Sequence, residues 1–324
     1  MGMDGQERVG VGLAVGATVL VGGSVAASGL VSGFPVFGGQ GLRYLVAALL
    51  LIAWARIRRQ RLVRPSGREW GWLIALAAVG QAACSVLMIE ATAVADPGSV
   101  GVIIGAAPLV IVLAGSAAAR RRPSGRLVVS ALIVTAGAAV AQLGSGGAGV
   151  DPLGVLLALG ALGGAVGMTV LAAPVLPRLG ALTVTVYSCA MAGVMCLVAG
   201  SLTGTELLRV PSWTELGALV YLAVVVTAAV CIAWFAAMDR LGPARTGLFN
   251  GVIPVTSLVA VGLVGASGVT VLQLAGALAV LVGVVLGLTD RPPAAPTAGV
   301  GPIGGTPENA TRRRDVPVSG ERAR

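Results

Sequence analysis

The chain has 324 residues, 56% of them hydrophobic and only 11% charged, with a formal net charge of +9 and a mean hydropathy of +0.94. That is more apolar side chain than a soluble domain can bury in one core, so the natural solvent is a lipid bilayer. The sequence holds no histidine, which removes the commonest metal ligand and the usual proton relay, and no metal or cofactor is expected.

The charges fall in short clusters between apolar runs of about 20 residues, the length a helix needs to cross roughly 30 Å of hydrocarbon. An all-α polytopic membrane protein is expected, because barrel strands would be shorter and would alternate polar with apolar. Residues 1–8 are polar and form an N-terminal segment, and Val9 to about Val31 make the first run. Its Ser24-Val25-Ala26-Ala27-Ser28 end resembles a signal-peptidase site. The run exceeds a signal core and more spans follow, so an uncleaved helix is expected.

The second run, about Phe37 to Ala55, carries Arg43 and ends in Arg56-Ile57-Arg58-Arg59-Gln60-Arg61, with Arg64 and Arg68 beyond. The third spans about Gly71 to Ala91 and includes Gln81 and Glu90. The fourth runs from Pro97 to about Ala119 and the fifth from about Leu127 to Leu143. Gly144 to Gly149 fit G-x-G-x-x-G, but with no strand before them the dinucleotide reading fails. The sixth (about Pro152 to Leu171), seventh (about Ala181 to Ala199), eighth (about Leu216 to Met238), ninth (Pro243 to about Val264) and tenth (about Val269 to Leu288) complete the set. Residues 290–324, rich in Pro, Gly and Ala with Arg312-Arg313-Arg314, read as a disordered tail. Asn309-Ala310-Thr311 fits a sequon that would be silent on the cytoplasmic side. The four cysteines, Cys84, Cys189, Cys196 and Cys231, lie inside apolar runs without metal-like spacing and read as small fillers.

The chain repeats itself. Pro97, Gly101, Gly105 and Pro108 recur as Pro243, Gly247, Gly251 and Pro254 at a constant offset of 146 residues (243 − 97), and Gly137 and Gly283 continue it. The domains are therefore two five-helix repeats, 9–143 and 152–289, joined by an external linker at 144–151. Five is odd, so the second copy enters the membrane inverted relative to the first, the plan of alternating-access carriers. All 22 basic residues are arginines, and those of the loops sit in the 2–3, 4–5, 6–7 and 8–9 connections and at both termini, Arg209 apart. The opposite loops hold Arg209 with Asp96, Asp151, Glu206 and Glu215. The positive-inside rule then puts both termini in the cytoplasm of a cell (inner) membrane. The +9 charge is accounted for by this asymmetry, and no nucleic acid partner is expected.

Pro108 and Pro254 lie 11 residues beyond Pro97 and Pro243 (108 − 97), about 16 Å along a helix and near mid-bilayer. A mid-helix proline frees the carbonyl four residues earlier, that of Ile104 in one copy and Asn250 in the other, to meet a substrate. Gly101, Gly105 and Pro108 share one helix face, as do Gly247, Gly251 and Pro254. Such a face is either a close packing seam with a permanent kink or a pocket wall. Arg43, at membrane depth, costs about 2.5–3.5 kcal/mol at a helix centre if unpaired. It either pairs with Glu90 or snorkels to headgroups. Glu90, the embedded carboxylate, is the proton-coupling candidate. Gln81, Tyr187, Thr227, Trp234 and Asn250 either line a pocket or make helix contacts.

The duplicated helix ending in Gly-x-x-Pro, the ten-span plan and the Arg early in the second span resemble the EamA-type permeases of the drug/metabolite transporter superfamily, over about residues 9–289. The resemblance implies a secondary carrier of small metabolites or drugs, often an exporter, with its pocket between the halves and lined by the fourth and ninth helices among others. Arg43 takes the place of the family's second-span Arg, and Pro108 and Pro254 those of its repeat prolines. Many members carry Gly-Glu where this chain has Gly115-Ser116 and Gly265-Ala266. The expected partners are a small-molecule substrate, the bilayer and a coupled proton, and a homodimer is compatible with the sequence. A membrane-embedded lipid-modifying enzyme would need clustered acidic or His residues near an interface. A scaffold would show no flux. Repeat symmetry with central prolines favours the carrier over both, and no enzymatic activity is expected.

Overall fold

The computed structural model describes residues 4–24, 30–31, 33–95, 97–118, 122–143, 151–204, 206–263 and 270–289. The Gly144–Gly149 motif, most of the Ser24–Ser28 stretch, Gly265-Ala266, the sequon and the tail lie outside these residues. The described chain forms helices and no strand. Successive helical runs are α1 (Gly5–Gly23), α2 (Val36–Ile57), α3 (Gly67–Val94), α4 (Pro97–Ile104 and Ala107–Ala118), α5 (Gly125–Leu143), α6 (Pro152–Ala172), α7 (Leu176–Leu202), α8 (Trp213–Leu241), α9 (Pro243–Gly247, Leu248–Gly251 and Val252–Leu263) and α10 (Val271–Leu288). Among the described residues, seven helices are long and apolar enough to cross a membrane, in α2, α3, α4, α6, α7, α8 and α10, and Gly125–Ala141 in α5 is a shorter apolar one. Their outer faces expose large apolar side chains such as Leu49, Leu156, Leu202 and Leu278, a surface suited to lipid and unsuited to water.

Several helices outrun their apolar stretches because polar residues cap them. Ser66 and Glu69 form a capping box that starts α3 four residues before the expected Gly71, and Ser212 and Glu215 do the same for α8. Asp4 accepts from the Gln6 N–H and starts α1 ahead of Val9. α1 then ends at Gly23, short of the expected Val31. α7 begins within the Pro174–Arg178 turn and bends at Gly180, whose φ of 74° suits glycine.

The 146-residue offset governs the backbone as well as the sequence. α3 turns π-helical at Leu76–Ala83 and α8 at Leu222–Ala229, the same positions in the two copies. The helices expected to be kinked or opened by Pro108 and Pro254 are interrupted in the turn before each proline. In α4, the Ala106 N–H turns to the Ile103 carbonyl at 3.1 Å, tightening the last turn before the proline. In α9, the turn at Leu248–Gly251 is 3₁₀-helical, and the Val252 N–H is directed at the Phe249 and Asn250 carbonyls.

Packing exchanges the copies. α1 lies against α8 and α9 as α6 lies against α3 and α4; α2 packs on α7, and α5 on α10. The two copies thus make equivalent contacts with each other, and glycine permits the closest. A Cβ on Gly137 would stand 2.8 Å from the Gly276 carbonyl, and one on Gly276 would stand 2.6 Å from the Gly137 carbonyl. Gly41 and Gly193 approach each other's carbonyls in the same reciprocal way, at 3.0 Å and 3.2 Å, where α2 crosses α7. One apolar core cluster joins α1 to α3 through α10, with Phe235 of α8 and Phe249 of α9 among its largest members.

Connections sort onto two faces. The start of α1, the α8–α9 turn and the end of α10 meet where buried Arg245 donates to Glu7 (3.0 Å) and to the Leu288 carbonyl. This N-terminal face also carries the arginines of the α2–α3 loop. The opposite face carries Glu206, Arg209 and Glu215 before α8.

Candidate functional site

Where α2, α3, α7 and α8 meet, side chains of both copies form a polar cluster inside the apolar bundle. Tyr44 stands on α2, Gln81 and Ser85 on α3, and Ser188 on α7. The Gln81 carbonyl, inside the π-helical stretch, accepts from Ser85 Oγ at 2.6 Å and from the Tyr44 hydroxyl at 3.3 Å. Tyr44 and Ser85 hydroxyls lie 3.2 Å apart, and Gln81 Nε2 donates to Ser188 Oγ at 3.0 Å. Gln81 lies about 20 Å from either end of α3, at mid-depth. A π-helical stretch turns its side chains out of α-helical register, which brings Gln81 onto the α7 face.

Arg43 belongs to this cluster. Its guanidinium lies 5.0 Å from the Tyr44 ring centroid, a cation–π distance. Its Nε is buried without a hydrogen-bond partner, as is Gln81 Oε1. Arg43 and Glu90 are both described and form no ion pair. The pairing considered from sequence is absent.

Thr227 is the repeat counterpart of Gln81 (227 − 81 = 146). Its hydroxyl donates to the Leu222 carbonyl at 2.9 Å, satisfying an acceptor that the π-helical stretch frees. Cys189 and Cys231 stand at the counterparts of Arg43 and Ser85. All four cysteines are free thiols.

The other expected site residues lie elsewhere. Tyr187 makes an edge contact with Trp70 of α3, ring centroids 5.2 Å apart. Trp234 is buried in the core with its indole N–H unpaired. Pro108 and Gly251 meet where α4 packs on α9, Gly105 faces Ala138 of α5, and Pro254 lies in the Val252–Leu263 part of α9. A Cβ on Gly251 would run into Val134 and come within 3.7 Å of Pro108, and one on Gly247 would meet Ile111 at 2.5 Å. Here the glycines serve close packing. Asn250 is half-buried beside this seam.

Two ion pairs close the opposite faces. On the N-terminal face, Arg178 at the start of α7 grips Glu69 through Nε (2.6 Å) and Nη2, and donates to the Arg64 carbonyl at 3.0 Å. On the other, Arg209 grips Glu215 through Nη1 (3.1 Å) and Nη2, donates to the Gly33 carbonyl at 3.3 Å and lies 5.2 Å from the Phe34 ring centroid. The Glu215 carboxylate holds the Arg209 pKa above its ordinary value. Each pair ties second-copy residues to first-copy backbone. Above the polar cluster, an open cleft of about 340 Å³ is lined by Phe34, Phe37, Glu90, Glu206 and Arg209 among others. That volume is at the small end for ligand sites.

Sequence reasoning missed Tyr44, Ser85, Ser188 and both ion pairs. The recurrence of Ser66-x-x-Glu69 as Ser212-x-x-Glu215 could have flagged the carboxylates. Among the described residues, no group of three His, Cys, Asp or Glu could hold a metal.

The model of the EamA-like transporter family matches residues 8–142 and again residues 152–289. The chain belongs to that family. As an EamA-like protein of the drug/metabolite transporter superfamily it is a multi-pass membrane protein, and its family is one of transporters. A solved crystal structure 20% identical in sequence superposes with a TM-score of 0.73, covering 87% of this chain and 95% of that one, which shows the fold. A search of the curated proteins finds no match.

Proposed function

We propose that this EamA-like protein is a secondary-active exporter of small metabolites or drugs, working by alternating access between two inverted five-helix repeats. In this reading all ten helical runs cross the membrane. α1 and α9 are included although α1 begins with charged residues and α9 is broken. Both termini face the cytoplasm, as the arginines of the N-terminal face favour. The observation that carries the reading is the exchange symmetry of the packing: each helix of one copy meets its neighbours as its counterpart does, but from the opposite face. Two such halves interconvert by trading conformations, which opens a central site to each side in turn. Arg178–Glu69 and Arg209–Glu215 serve as the latches of the two faces. The cluster around Arg43 and Gln81 is the site they enclose, with Thr227 on its α8 side.

Reconstitution into proteoliposomes tests this directly. Export predicts gradient-driven accumulation of a substrate drawn from a metabolite and drug panel, and no flux with any imposed proton or substrate gradient would refute it. Glu90, beside the open cleft, is the coupling carboxylate. Glu90→Gln should abolish the dependence of flux on pH, and an unchanged pH profile would remove it from that role.

A further inference from the structure

We infer that the central cluster takes a small organic oxyanion, a carboxylate or phosphate, on the Nε edge of Arg43, so that the carried substrate is anionic. This rests on the transporter reading and names the substrate class for its site.

The fold draws four arginines against packed elements. Three of them hold a carboxylate: Arg245 with Glu7, Arg178 with Glu69, and Arg209 with Glu215. Arg43, about 10 Å inside the end of α2, holds none. Its guanidinium lies against the Tyr44 ring, and its Nε, shut off from solvent, has no hydrogen-bond partner among the described residues. The cluster that Tyr44 joins offers a phenol, an amide and serine hydroxyls, and among the described residues no carboxylate pairs with Arg43. The cluster therefore carries one uncompensated positive charge in a low-dielectric setting, where a cationic ligand is repelled and a neutral one leaves the charge unmatched.

The free edge fits a particular chemistry. Nε and its neighbouring Nη present two parallel N–H donors, spaced for the two oxygens of a carboxylate or phosphate. The repeat adds an independent argument. The position equivalent to Arg43 in the second copy is Cys189 (189 − 43 = 146), and α7 packs on α2 with that small neutral side chain in place. The crossing needs no charge, so the charge answers to a ligand.

The test uses the full chain, purified in a neutral maltoside detergent, and three isosteric probes: benzoate, benzamide and benzylamine, with inorganic phosphate as a fourth. Thermal stability is followed against each probe up to about 10 mM, ten times the 1 mM that marks weak binding. Benzoate or phosphate should stabilise the protein, and benzamide and benzylamine should not. Arg43→Gln should weaken the anion response about tenfold or more, and Arg43→Lys should keep part of it. Equal responses to the three isosteres, no anion response, or one that survives Arg43→Gln would overturn the assignment. So would displacement of benzoate by an equal concentration of phosphatidylglycerol, which would make the occupant a lipid headgroup. Comparing wild-type benzoate with benzamide needs no variant, so misfolding cannot mask the result. The two readings also fail separately. Anion binding through Arg43 without proteoliposome flux sinks transport and spares the site. Flux confined to neutral or cationic compounds does the reverse.

Discussion

The two copies share a backbone and differ in chemistry. Counterpart positions hold Arg43 and Cys189, Gln81 and Thr227, Ser85 and Cys231, while the π-helical stretches, capping boxes and helix breaks coincide. Features present in both copies are those both must use to fold and pack: glycines where helices cross, serines and glutamates that start helices, prolines that break them. Features present in one copy answer to something else. The latches show both kinds of feature at once. Glu69 and Glu215 are counterparts, but their arginines are not, since Arg178 begins α7 and Arg209 ends the loop before α8.

Breaking a shared feature should do the most damage. Gly137→Val, at a position glycine holds in both copies (Gly283 is its counterpart), would drive side-chain atoms into the Gly276 carbonyl and the Val280 N–H, each 2.8 Å from a Cβ. Loss of about 1–3 kcal/mol is expected, read as a lowered Tm in detergent. Gly12→Ala, where nothing lies within 4 Å, serves as the control. Equal Tm for both variants would mean that the α5–α10 seam tolerates separation.

The latches should respond next, and in opposite senses. Arg178→Gln should raise alkylation of Cys189 and Cys231 by a membrane-impermeant maleimide applied to the N-terminal face, and Arg209→Gln should do so only from the other face. A severalfold change is expected, because each variant biases one of two interconverting states. If both variants open the same face, the latches are not paired gates.

The smallest effect sharpens the comparison within the π-helical stretches. Thr227→Val removes the donor to the Leu222 carbonyl and should cost about 1 kcal/mol, with faster amide hydrogen exchange confined to residues 222–229. Unchanged exchange would show that the hydroxyl does not hold the irregular turn.

The sequence by itself determined the solvent, the helical class and the repeat. Hydropathy over some 20 residues and an offset of 146 are local properties that no tertiary contact can alter. It also picked out Arg43 and Gln81. Only the tertiary structure decided which polar residues meet. Tyr44 and Gln81 are 37 positions apart and Gln81 and Ser188 are 107 apart, so their contact depends on helix rotation. That rotation is set by π-helical turns that hydropathy does not encode. The same holds for the duplicated motif: its spacing was legible, but what stands against Gly247 and Gly251 depended on Ile111 arriving from α4 and Val134 from α5. Close packing took that ground, and the polar cluster fell instead to α2, α3, α7 and α8, where the two copies differ.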